Sequence, residues 1–149
     1  MKRDKLNIGI VTSPFLLKAG VIPLSKLIDI LSSFSNNLHV ISGNAAVVLS
    51  KGDKVHVYLV EHKQEANIFI KILKYVRANL KISYKLAKLS NVDLWFFFIG
   101  ERPLLIPILA AKLLRKNIIF VSSGSLIKFT GGQKNILKLL RASKSHFSK

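Results

Sequence analysis

The sequence predicts a doubly wound α/β fold, a mostly parallel sheet flanked by helices. Two observations carry this expectation. Short apolar runs rich in β-branched and aromatic residues alternate with longer segments of helical periodicity along the 149-residue chain. The run 92–99, VDLWFFFI, has no polar alternation beyond Asp93, as a strand covered on both faces requires.

The elements follow in order. Residues 6–12, LNIGIVT, read as the first strand. The chain then breaks at Thr12-Ser13-Pro14 and passes through a loop ending in Ala19-Gly20. A helix is expected over 23–35, with Pro23 in its first turn and Leu24, Leu27, Ile28, Leu31 and Phe34 on one face. Residues 38–42 and 55–60 are strands, and 66–90 form a long helix. The strand 92–99 precedes a helix over about 104–116, irregular at Pro107, and a last strand over 117–122. Lys112, Arg115 and Lys116 at that helix's end complement its dipole. The apolar stretch 92–114 is interrupted by Glu101, Arg102 and two prolines, so it reads as a buried strand and helix rather than a membrane span.

Composition narrows the chemistry. There is no cysteine, which excludes disulfides, thiolate catalysis and cysteine-based metal sites. The histidines, His39, His56, His62 and His146, lack metal-ligand spacing, and no metal site is expected. His39 and His56 lie within strands and read as structural. No GxGxxG, Walker lysine or GxSxG occurs, so a nicotinamide, P-loop or serine-hydrolase site is not indicated. Twenty-four Lys and Arg oppose seven Asp and Glu, a net charge of +17, and from Arg102 onward no acidic residue occurs. Such a field favours phosphate, nucleic acid or an anionic membrane surface.

Ligands of doubly wound sheets bind beyond the carboxyl ends of the strands. Those ends carry Ser13 to Gly20, Ser42-Gly43-Asn44, Glu61-His62, Gly100-Glu101-Arg102 and Ser122-Ser123-Gly124-Ser125. The opening loop, with Ser13, Lys18 and Gly20, suits an anion at a helix N-terminus or a plain corner. Gly43, Glu101, Arg102, Ser122, Ser123 and Gly124 line the same expected cleft. Glu101 serves equally as a charged helix start or a substrate contact.

Lys71, Lys74, Arg77, Lys81, Lys85 and Lys88 recur at steps of three or four and form one stripe about 25 Å long. Ile68, Ile72, Leu73, Val76, Leu80 and Leu86 supply the apolar face. A basic amphipathic helix reads as a membrane-surface element, as a solvated outer helix or as a nucleic-acid contact.

The stretch 7–44, NIGIVTSPFLLKAGVIPLSKLIDILSSFSNNLHVISGN, resembles the opening of family 4 (group 1) glycosyltransferases. The stretch 92–125 resembles their later strand, AAKLLRK-type helix and apolar strand. The resemblance implies the N-terminal half of a GT-B enzyme: a Rossmann-like domain over 1–130, then a basic helical tail over 131–149 that begins a missing continuation. It implies transfer of a sugar from a nucleotide-sugar to a glycan or lipid-linked acceptor, with no cofactor besides that substrate. The N-terminal half receives the acceptor, and Gly20 falls near the donor phosphates or the acceptor. Family members carry a histidine after the fifth strand, where Ser123 or Gly124 stands here, and the paired-glutamate donor motif is absent. The chain alone is therefore expected to show little or no turnover, as either a fragment of a longer enzyme or a half that works with a C-terminal-half partner chain. Its expected place is cytoplasmic, peripheral on the inner face of the membrane. The alternatives are a nucleic-acid-binding module and a non-catalytic membrane-surface module. Nucleic acid has no supporting motif in the sequence.

Overall fold

The computed structural model of the chain describes residues 6–47, 49, 52–61, 63, 66–100 and 104–122. The elements in chain order are β1 (Leu6–Thr12), α1 (Lys18–Phe34), β2 (Ser35–Ser42), a 3-10 turn (Asn44–Val47), β3 (Val55–Leu59), α2 (Ile68–Lys88), β4 (Leu94–Ile99), α3 (Leu105–Leu113) and β5 (Ile118–Ser122). The sheet order is β3-β2-β1-β4-β5, and every pairing is parallel. This is the doubly wound Rossmann-like arrangement expected from the alternation of elements.

The central strands bury both faces, as the continuous apolar run 94–99 implies. On one side Val11, Ile41, Trp95 and Phe97 pack with Ala78, Ile82 and Leu86 of α2 and Ala111 of α3. On the other, Ile8, Ile10, Leu38, Val40 and Phe98 pack with Leu24 and Ile28 of α1. Asp93 ties the amino edge together, since its carboxylate Oδ2 accepts from the Asn7 backbone N–H at 2.9 Å and its carbonyl from Asn117 Nδ2 at 3.2 Å. The expected strand and helix over 92–114 are both present, as β4 and α3.

Three local expectations change. The first helix starts at Lys18 rather than at Pro23, so Gly20 and Pro23 both lie inside it. The cause is tertiary. Asn44 grips the backbone of Leu16 on both sides, with Oδ1 accepting from the Leu16 N–H and Nδ2 donating to the Leu16 carbonyl, each at 2.7 Å. That clamp ends the loop at Leu17, and α1 accepts an interior proline at the cost of one hydrogen bond. Phe34, expected on the buried face of α1, is exposed at the helix end. Pro107 occupies the first turn of α3, where its missing N–H has no intrahelical acceptor to lose, so α3 begins without a break there.

The third change concerns α2. Of the six residues assigned to its apolar face, only Leu86 is buried, and Ala78, Asn79 and Ile82 complete the face against the sheet. Ile68, Ile72, Leu73, Val76 and Leu80 are exposed. Periodicity marks a stripe but does not say which stripe meets the core, and α2 carries two.

Candidate functional site

The strand order reverses between β1 and β4, so the crevice beyond their carboxyl ends is the switch point of the sheet. The segment 13–17 after β1 enters it. Pro14 lies against Gly43, where an added Cβ would stand 1.7 Å from the Pro14 carbonyl oxygen. The Asn44 N–H donates to that same oxygen at 3.3 Å. Leu16 turns inward and fills the space over Gly20 and Gly100, where a Cβ would meet its side chain at 2.9 and 3.2 Å. Gly43 and Gly20 therefore serve close packing of the loop, whatever else they border.

Ser13 is fully buried, and its hydroxyl has no hydrogen-bond partner among the described residues. Beside it Thr12 Oγ1 donates to Ser42 Oγ at 2.8 Å, which joins the ends of β1 and β2. Lys18 is exposed at the first position of α1, and Leu17 at its N-cap supplies no side-chain cap. A helix start left without a capping side chain keeps N–H groups and positive dipole available to an anion. Ser122 ends β5 at the same carboxyl edge. Glu101, Arg102, Ser123 and Gly124 lie outside the described residues.

The second feature is the outer surface of α2. The basic residues keep to one side: Lys71, Arg77, Lys81 and Lys88 are exposed, and Lys74 and Lys85 are half-buried. Alongside them Phe69, Leu73, Val76, Leu80 and Tyr84, spaced by four, three, four and four, form an outward apolar stripe. Phe69 is 84% exposed and Tyr84 68%. Side chains of that size in a row on one helix differ from singly scattered exposed apolar residues. The sequence held the signal, because this stripe and the core stripe are both periodic.

Beneath α2 the sheet carries a polar cluster that sequence reasoning left as ordinary structure. His39 and His56, adjacent across β2 and β3, stack with ring centroids 5.1 Å apart. His39 Nδ1 lies 3.1 Å from the Tyr58 hydroxyl, and Lys85 Nζ sits 5.2 Å above the Tyr58 ring. Burial, and then the neighbouring His56, hold the His39 pKa below its ordinary value of 6.5. Among the described residues no three His, Cys, Asp or Glu side chains gather as a metal site would need, and no helix is long and apolar enough to cross a membrane.

The fold is that of a Rossmann-like α/β module whose strand order switches between β1 and β4. No family model and no curated protein matches the chain in sequence. Solved structures do match in shape. The glycosyltransferase of kitacinnamycin aligns at a TM-score of 0.55 and 12% identity, over 95% of this chain and 37% of its own. CalG4, the calicheamicin glycosyltransferase, aligns at 0.53 and 16%, over 91% of this chain and 38% of its own. The C-terminal domain of the PF1911 hydrogenase from Pyrococcus furiosus aligns at 0.54 and 8%, over 79% and 92%. The likeness is one of fold, and the chain spans less than two-fifths of either glycosyltransferase.

Proposed function

We propose that the chain is the acceptor-side half of a glycosyltransferase that works at an anionic membrane surface. The observation that carries this reading is the all-parallel five-stranded sheet, which overlays nearly the whole chain on little more than a third of a glycosyltransferase. The family 4 resemblance of 7–44 and 92–125 supplies the finer assignment.

In this reading the opening of α1, with exposed Lys18, faces the phosphates of a nucleotide-sugar or the head of the acceptor, and buried Ser13 lies behind it in the loop after β1. Gly20 packs the loop that presents them. Gly43 and Ser122, at the carboxyl ends of β2 and β5, border the sugar cleft in this reading. The donor-binding half comes from a second polypeptide or from a continuation of this one. Exposed Ile119 and Phe120 on the edge strand β5, and exposed Leu105, Leu109 and Leu113 on α3, give such a half an apolar surface to cover. The outward stripe of α2 with its basic border suits insertion into lipid headgroups, where each cation contributes about 1 kcal/mol. Phosphodiester binding to nucleic acid would leave that apolar stripe unused.

The test is transfer of label from a panel of nucleotide-sugars into lipid extract with the purified chain as sole protein. The expected result is no product, and robust product would overturn the half-enzyme assignment. Retention of labelled lipid-linked sugars on the immobilised chain tests the acceptor role. Retention unchanged by Lys18→Glu would refute the part given to α1. No retention at all would leave the non-catalytic membrane module, which the α2 stripe supports equally.

A further inference from the structure

A groove of about 590 Å³ opens where the end of β3 meets α2, on the edge of the sheet away from the β1–β4 crevice. Leu59, Leu80 and Tyr84 give it apolar walls, and Arg77, Lys81 and Lys85 border it. An adjoining hollow of about 220 Å³ shares Glu61, Arg77 and Lys81 and adds Lys63 and Lys74. Among the described residues, five cations and one carboxylate, Glu61, line the two hollows. Leu80 and Tyr84 belong both to the groove and to the outward stripe of α2, so the charged hollow runs continuously into the apolar surface.

We propose that this groove seats the phosphomonoester head of a membrane lipid, with its acyl chain running along Leu80, Val76 and Leu73. Three considerations select that occupant. A phosphomonoester carries between one and two negative charges near neutral pH, against one for a phosphodiester, and it offers more acceptor oxygens to the arginine fork and the lysines. The apolar wall has no use for a free anion and is what an amphiphile supplies. The chain's own basic segment 133–149, with five Lys or Arg and no acid, and a second copy at +17 are both repelled by the cations.

The inference rests on the membrane-facing reading of α2 and adds headgroup selection to it. Flotation of the full chain with phosphatidylcholine vesicles tests it. One set is doped with phosphatidic acid and another with phosphatidylglycerol, matched in surface potential. Binding to the phosphatidic acid set is expected to be about tenfold tighter, the factor given by one further charge-assisted hydrogen bond. The double substitution R77Q/K81Q should abolish the preference, whereas Phe69→Ser should weaken both sets together and keep the ratio. Equal binding at matched potential, or a preference that survives R77Q/K81Q, would overturn the headgroup site and leave the membrane reading intact. Failure to bind either set would sink both. Thermal stabilisation by inorganic phosphate without any vesicle preference would assign the groove to a free anion and refute the lipid.

Discussion

Replacing Gly43 by alanine tests whether the loop after β1 is held by packing. The new Cβ would stand 1.7 Å from the Pro14 carbonyl oxygen and 2.4 Å from its carbon, where ordinary contact begins at 3.4 Å. The obstacle is backbone, so no side-chain rotation relieves it. The two segments must part by about 1.7 Å, the difference between the contact limit and the distance from that Cβ to the oxygen. A displacement of that size breaks both Asn44 hydrogen bonds to Leu16, which are 2.7 Å long. Two such bonds contribute about 1 kcal/mol each, and residual overpacking adds about 1–3 kcal/mol. The expected loss is therefore about 3–5 kcal/mol. With a urea slope of about 2 kcal/mol/M, the unfolding midpoint should fall by about 1.5–2.5 M. Gly52→Ala is the control, since the nearest atom to its Cβ is Val55 Cγ2 at 3.8 Å and its midpoint should hold or rise slightly. A drop below about 0.3 M for Gly43→Ala would refute the close packing of Pro14 on Gly43.

Arg115 has φ of 52° at the end of α3, where its N–H bonds to the Lys112 carbonyl and the Lys116 N–H to that of Ala111. Glycine suits that left-handed position, so Arg115→Gly should stabilise the chain by about 0.5–1 kcal/mol in thermal unfolding. Leu86→Ala should cost about 2–5 kcal/mol because Leu86 is fully buried, whereas Leu73→Ala should stay within about 0.5 kcal/mol by the same denaturant titration. The depressed pKa of His39 means that the unfolded chain takes up this proton more readily than the folded one. Its contribution is intact above pH 6.5 and is lost as pH falls from there through the folded value. Melting temperatures between pH 7.5 and 5.5 should therefore fall less steeply in His39→Gln, and parallel slopes would remove His39 as a source of the acid sensitivity.

Much of the candidate site was readable along the chain because its physical basis is local. Ser13, Lys18, Gly43 and Ser122 were placed at strand ends by alternation alone, and they lie at or beside the carboxyl edge of the sheet. The basic stripe of α2 followed from spacing. The duty of Gly43 did not, because the atom it must admit belongs to Pro14, far away in sequence. Nor did the His39–His56–Tyr58 cluster, which exists only once β2 and β3 pair in register.

By itself the sequence determined the class of fold, the order of its elements and the excess of positive charge. Each of these depends on residue type and short-range periodicity, which a single chain displays directly. Tertiary structure alone decided which stripe of α2 faces the sheet and where α1 begins. It also brought Glu61 and Lys63 beneath Arg77 and Lys81. Those outcomes depend on what stands opposite a residue across the fold. Ala78, Ile82 and Leu86 meet Val11, Ile41 and Trp95, while the equally periodic Phe69, Leu73 and Leu80 stand exposed on the outer side of α2.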